Sequence, residues 1–267
     1  MKGGDEITHI REKLGAKPPQ AMPAYLNLLI YGEAGAGKTY LAGTAQDSPH
    51  TKPILFLDVE GGTVTLRRRP DIDVMQVRTM NDIEKAHNIL YEDRGETYKT
   101  VIIDSLTELQ KLDMKGVMQK EYDTKPDTVD KDIPTQRAYL KSGNRLRAII
   151  QGFRDLPVNT IMTCLLATEF DETNGVTNYF PSLPGKLRGE VPGYFDVVGY
   201  LRTEQDTDGE NVIRKLQVAK TKRVSAKDRT ASLGNLVDNP SVPLLWEMIH
   251  SDNGTPPQVK TTKESKS

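Results

Sequence analysis

The sequence predicts an α/β protein with a mostly parallel central sheet flanked by helices, the late strands open to an antiparallel arrangement. Three observations lead there. Short apolar runs ending in glycine or an acid recur along the chain, as buried parallel strands do. Segments of helical period separate them. A glycine-rich Gly-Lys-Thr segment joins the first apolar run to the first helical pattern. Alternating strands and helices imply a parallel sheet with helices on its faces.

The elements follow in order. Residues 1–24 mix charge, glycine and proline, and a short helix is expected near Ile7–Leu14 before an extended lead-in. Residues 25–250 form the predicted domain. Leu26–Tyr31 reads as a buried strand, Lys38–Gln46 as a helix, Ile54–Val59 as a second strand and Val74–Val77 as a short third. Asn81–Tyr91 places Ile83, Ala86, Ile89 and Leu90 on one helical face. Thr100–Asp104 is another apolar strand, followed by a helix to about Lys120. Glu121–Pro134, with Asp123, Asp127, Asp130 and Asp132, reads as a loop. Thr135–Arg154 repeats Leu146, Ile149, Ile150 and Phe153 at helical spacing. Val158–Leu166 is a strand, and Glu169–Gly193, rich in Gly and Pro, is expected to be a long loop. Loops of that length are usually functional or mobile. Phe195–Leu201 and Val212–Val218 are the late strands, with a hairpin around Asp208-Gly209. Residues 251–267 are Thr-, Lys- and Pro-rich and expected to be disordered.

Composition narrows the function. Over 267 residues, Lys+Arg total 36 and Asp+Glu 37, for a net charge of -1. A uniformly basic nucleic-acid coat is excluded, though a local basic surface is not. No apolar run of about 18 residues exists, so no membrane span is expected. Met1–Gly15 lacks an apolar signal core, so secretion is not expected. Cys164 is the one cysteine; a disulfide framework within the chain is excluded, a cytoplasmic location fits, and a small buried side chain is its expected role. The four histidines make no metal pattern.

Gly32-Glu33-Ala34-Gly35-Ala36-Gly37-Lys38-Thr39 fits G-x-x-x-x-G-K-[ST]. Its glycines let the backbone curl so that N–H groups point at phosphate oxygens. Lys38 is expected to reach the β- and γ-phosphates of ATP, and the Thr39 hydroxyl to ligate Mg²⁺. Tyr40, next in the chain, is counted with the nucleotide contacts. The run Thr100-Val101-Ile102-Ile103-Asp104 ends in an acid at the edge where ligands bind in such sheets. Asp104 is the second expected Mg²⁺ residue, although many strands end in an Asp that only caps the next helix. Residue 105 is Ser, so the adjacent Asp-Glu pair of AAA+ enzymes is absent. Glu60 follows a neighbouring strand and is the expected catalytic base, polarising a water in line with the γ-phosphate. The plainer alternative is a solvated acid before Gly61-Gly62. Asp58 reads as structural.

Taken together, Gly32–Thr39, Phe56-Leu57-Asp58-Val59-Glu60 and Ile102-Ile103-Asp104-Ser105 resemble the RecA-type P-loop ATPase core. More narrowly the chain is similar to phage nucleotide-binding proteins related to RecA and RadA that assist single-strand annealing and recombination. Leu183-Pro184-Gly185-Lys186 and Phe195-Asp196-Val197-Val198-Gly199-Tyr200 add to the likeness, which spans about residues 25–225. It implies single-stranded DNA as partner, a homo-oligomer or filament, a single-strand binding protein as a further partner, and the host cytoplasm if the gene is a phage's. RecA-type cores also carry a Gln that couples the γ-phosphate to the DNA loop. Here Thr168 or Glu169 would have to serve.

Basic segments supply the DNA candidates. Val218-Ala219-Lys220-Thr221-Lys222 resembles the RecA strand whose two lysines reach a neighbouring protomer's γ-phosphate. Alternation would put Lys220 and Lys222 on one strand face; a basic edge strand that blocks sheet pairing is the rival reading. Arg137, Lys141 and Arg145 line one face of the Thr135–Arg154 helix. Such a stripe suits a phosphate backbone, as it also suits plain solvent. In the long loop, Tyr179 and Phe180 could stack on bases while Lys186 and Arg188 meet phosphates, or the two rings could pin the loop to the domain. The expected function is therefore a Mg²⁺-dependent ATPase acting on single-stranded DNA. Its rivals are a nucleotide-gated assembly or packaging factor that binds protein, and a nucleotide or small-molecule kinase.

Overall fold

The computed structural model describes residues 9, 11–17, 25–130, 132–206, 208 and 211–251. Of the expected N-terminal helix, residues 9 and 11–14 are helical; the rest of residues 1–24, and the tail after residue 251, lie outside the described residues.

The strands are β1 (Asn27–Gly32), β2 (Ile54–Asp58), β3 (Ile72–Gln76), β4 (Thr100–Asp104), β5 (Asn159–Asp171), β6 (Val176–Pro181), β7 (Val197–Gln205), β8 (Val212–Gln217), β9 (Lys227–Asp228) and β10 (Leu236–Asp238). The helices are α1 (Lys38–Gly43), α2 (Met80–Asp93), α3 (Leu106–Thr124), α4 (Gln136–Arg154), α5 (Leu187–Glu190) and α6 (Val242–His250). The sheet order is β10-β8-β7-β1-β5-β4-β2-β3. From β7 to β3 every neighbouring pair is parallel. β8 and β10 close one side antiparallel, as the late strands allowed.

Period-2 alternation splits the strand side chains between two cores. Leu29, Tyr31, Val101 and Ile103 face α2, α3 and α4, packing with Ile83, Leu109, Leu146, Ile150 and Phe153. Leu28, Ile30, Phe56 and Ile102 face the other way, with Leu41 of α1 and Leu245 of α6. Burial on both faces is why these strands read as continuous apolar runs. Capping fixes the helix starts. Thr79 and Asp82 form a capping box on α2, and the Thr135 hydroxyl caps α4.

Three expectations are corrected. Helix α3 continues to Thr124, so Glu121–Thr124 is helical rather than loop. The expected long loop Glu169–Gly193 is mostly ordered: β5 runs on to Asp171 and pairs antiparallel with β6. β-branched and aromatic residues (Thr168, Phe170, Val176, Thr177, Tyr179) favour that pairing. Gly175, at φ 63, supplies the left-handed turn residue. The Lys220/Lys222 strand does not form. β8 stops at Gln217, and the Thr221 hydroxyl accepts from the Arg223 and Val224 N–H groups. The two lysines thus sit exposed on a turn and do not share a strand face.

Helix α6, which begins at the Ser241 cap, docks behind α1, where the Val242 N–H donates to Thr44 Oγ1 at 2.8 Å. Its Trp246 is stacked between His50 and His250, with centroid separations of 4.1 and 4.0 Å.

Candidate nucleotide site

The carboxyl ends of β1, β2 and β4 lie along one sheet edge, and β2–β4 pairing sets Asp58 beside Asp104. From β1 the chain enters the glycine loop. Gly35 and Gly37 hold φ of 80° and 94°, which side chains on Cβ disfavour. At Gly32 the approach is closer still: a Cβ there would lie 2.3 Å from the Leu201 carbonyl oxygen of β7. Lys38 is buried and donates from Nζ to the Gly32 and Glu33 carbonyls, at 3.1 and 2.8 Å. Burial lowers its pKa, opposed by the nearby Glu60 and Asp104 carboxylates.

Asp104 is fixed from both sides. Its Oδ2 accepts from Thr39 Oγ1 at 2.6 Å, and its Oδ1 accepts a short bond from Thr163 Oγ1 on β5. No motif marks Thr163; its place follows from the β4–β5 register, which puts it beside the strand end. Thr39 and Asp104 thus meet as a hydroxyl–carboxylate pair. Hard oxygen donors of this kind suit Mg²⁺.

Glu60 is tied to the same place through its backbone. The Val59 and Glu60 N–H groups both donate to the Asp104 carbonyl, at 2.9 and 3.2 Å. Asp58, buried at the strand end, accepts from the Gly61 and Gly62 N–H groups and so shapes the turn that presents Glu60. A Cβ on Gly62 would lie 4.0 Å from both Asp104 Oδ2 and Thr39 Oγ1. The turn therefore abuts the oxygen pair. Partial burial and then the Asp104 carboxylate raise the Glu60 pKa, against Lys38 and a Ser105 contact that lower it. The side chain keeps an exposed edge, open to water.

The DNA candidates do not converge on one free surface. Lys141 pairs with Glu121 at 2.6 Å, and Arg145 with buried Asp113 at 2.8 Å. Acids on α3 thus neutralise two of the three stripe cations; the sequence of α4 alone hides this, because the partners come from another helix. Arg137 is exposed. Tyr179 is half-buried, stacked on Tyr200, and its carbonyl accepts from Tyr31 Oη, so this ring pins the hairpin. Arg188 pairs with Glu169 and lies 4.1 Å over the Phe180 ring. Glu169 is therefore engaged by Arg188, and Lys186 is exposed. Cys164 is buried beside Thr107, and burial pushes its pKa up to about 12.

Sheet, glycine loop and oxygen pair together define a P-loop nucleotide-binding α/β protein. A family model described as an AAA domain matches residues 24–230, and the chain belongs to that family, AAA_24. Within it, Ser105 stands where an Asp-Glu pair would place its Glu. No curated protein matches the chain significantly. Among solved structures it is similar to the flagellar accessory protein FlaH from Methanocaldococcus jannaschii (11% identity, 82% of this chain and 88% of that one, TM-score 0.41). It is also similar to the RadB recombinase (12% identity, 86% and 91%, TM-score 0.46).

Proposed function

We propose that the protein is a Mg²⁺-dependent ATPase of RecA type that acts on single-stranded DNA in recombination or repair, working as an oligomer or filament. The observation that carries the ATPase reading is the meeting of Thr39 Oγ1 and Asp104 Oδ2 at 2.6 Å with Glu60 bound through its backbone to Asp104. Thr39 and Asp104 would hold Mg²⁺, which when bound offsets charge on the phosphate oxygens. The rest is this chain's own work. The loop N–H groups and Lys38 bind phosphate. Glu60 takes a proton from the attacking water, and its raised pKa makes it a stronger base than an ordinary glutamate.

The DNA reading is supported by the likeness of the Gly32–Thr39, Phe56–Glu60 and Ile102–Ser105 segments to RecA-type recombination ATPases and by exposed cations that have no ion-pair partner among the described residues: Arg137, Lys186, Lys220 and Lys222. A protein partner, the runner-up, is favoured by a different observation. Ile133, Tyr139 and Leu140, at 67, 47 and 65% exposure, leave apolar side chains open beside the same helix.

The test is Mg²⁺-dependent ATP hydrolysis with and without single-stranded DNA. Lys38→Ala is expected to abolish turnover, and Glu60→Gln to slow it by about 10²-fold or more while sparing nucleotide binding. Wild-type hydrolysis by Lys38→Ala would sink the ATPase reading. DNA binding is expected to weaken as salt rises, through counterion release. A gel shift showing no DNA binding with or without nucleotide would leave the protein-partner reading.

A further inference from the structure

Arg214 lies apart from the motifs and is the most telling side chain outside them. It sits on β8, two strands from β1, paired with Thr203 of β7. Its backbone is clamped a second time: the Asn239 N–H donates to the Arg214 carbonyl at 2.7 Å, and the Arg214 N–H donates to Asn239 Oδ1 at 3.3 Å. From that anchorage the side chain crosses to the phosphate-binding loop. A Cβ built on Gly37 would lie 2.5 Å from Arg214 Nε and 3.4 Å from Cζ. The guanidinium also stands 5.0 Å over the Tyr40 ring, while Arg69 stands 5.4 Å from the same ring.

The two arginines differ in their partners. Arg69 forms a two-oxygen contact with Asp47, both at 2.9 Å. Arg214 makes no ion pair among the described residues, and its Nε is buried without a hydrogen-bond partner. A buried guanidinium donor left unpaired is costly. Here it is held by two backbone clamps against the glycine whose loop is shaped for phosphate. Guanidinium donors match phosphate oxygens in geometry and charge.

We propose that Arg214 is a phosphate contact of the bound nucleotide, supplied in cis by β8 across the glycine loop. The inference rests on the P-loop reading above and adds a residue that reading does not contain. Tyr40 then acts as the platform that orients the guanidinium. Gly37 is glycine because of its φ of 94°, and its bare face lets the arginine lie against the loop.

The test is binding of ATPγS by calorimetry, at low and high NaCl, for wild type, Lys38→Ala, Arg214→Ala and Arg214→Gln. Gln keeps much of the stem over Tyr40 without the charge, so it decides the matter if Ala disturbs the fold. Thermal melting of each variant is recorded alongside. Both Arg214 variants are expected to bind about 10- to 100-fold more weakly at low salt, the worth of a charge-assisted hydrogen bond. That deficit is expected to shrink at high salt, because the contact is ionic. If Lys38→Ala loses affinity but both Arg214 variants bind as wild type does, the Arg214 inference is overturned and the P-loop reading stands. A deficit that does not change with salt also overturns it, leaving Arg214 as a support for Tyr40. If Lys38→Ala binds as tightly as wild type, it is the P-loop reading that fails.

Discussion

Replacing Arg145 with alanine separates two roles for α4. The Asp113 side chain is 0% exposed, and among the described residues its ion-pair partner is Arg145 Nη1 at 2.8 Å, with no hydrogen-bond partner for its Oδ2. Arg145 is 39% exposed, and its second acid, Glu84, is 3.9 Å away and half in water. Breaking a buried pair from one side strands a charge and costs about 3–5 kcal/mol. Arg145 is partly open to solvent, so the lower end applies, about 3 kcal/mol. For a domain of this size that lowers Tm by about 6–12 °C. Circular-dichroism melts read the shift directly. Asp113→Asn added to Arg145→Ala is expected to recover at least half of it, because the stranded charge is removed. A variant that melts within about 2 °C of wild type yet binds single-stranded DNA more weakly would refute the reasoning. It would return Arg145 to the DNA surface.

The remaining predictions concern the site. Turnover is expected to rise with pH through the Glu60 ionisation, at a pH above the ordinary glutamate range, since its pKa is raised; the residual rate of Glu60→Gln lacks that limb in a pH–rate profile. The linked stability has the opposite sense. The folded state holds the Glu60 proton more tightly than the unfolded chain, so this group's contribution falls as pH rises from the unfolded to the folded pKa. Urea midpoints of Glu60→Gln are therefore expected to lose that decline. Thr163→Val removes the Asp104 Oδ1 partner and is expected to raise the Mg²⁺ concentration needed for nucleotide binding, measured by Mg²⁺ titration. An unchanged requirement would mean Thr39 alone positions the carboxylate. Gly32→Ala drives a Cβ into the Leu201 carbonyl, and urea denaturation is expected to show an unfolding free energy lower by about 1–3 kcal/mol.

Different physics explains what the sequence disclosed and what it hid. β1, β2 and β4 were legible because strands buried on both faces must be apolar throughout. The phosphate loop was legible because its backbone demands glycine at Gly35 and Gly37. Glu60 could be picked out as a candidate because it follows a strand end and precedes two glycines, a local pattern; its backbone bond to the Asp104 carbonyl was not visible there. Thr163 and Arg214 could not. Each acts only because a strand far away in sequence sets it beside the loop or the acid. The ion pairing of the α4 stripe was hidden for the same reason, as the acids Glu121 and Asp113 lie on α3. The β5–β6 hairpin was obscured by the Gly and Pro residues that follow it, although its own residues are good strand formers. Helix α6 begins at a cap, Ser241, with a proline in its first turn, both local signals of a helix start.

The stacking of Trp246 between two imidazoles gives the chain an intrinsic optical gauge. It is the one tryptophan present, so its emission is unmixed. Imidazole stacking quenches indole fluorescence, and the emission therefore reports how tightly α6 is seated. The helix rests against the segment after α1, through the Thr44 hydroxyl six residues beyond Lys38. Peripheral helices open locally at lower free energy than the core. Nucleotide that stiffens α1 from its other end should seat α6 more firmly and dim the signal. Occupancy of the loop is therefore expected to change Trp246 emission in stopped flow, and His50→Ala, which removes one stacked ring, is expected to weaken that response.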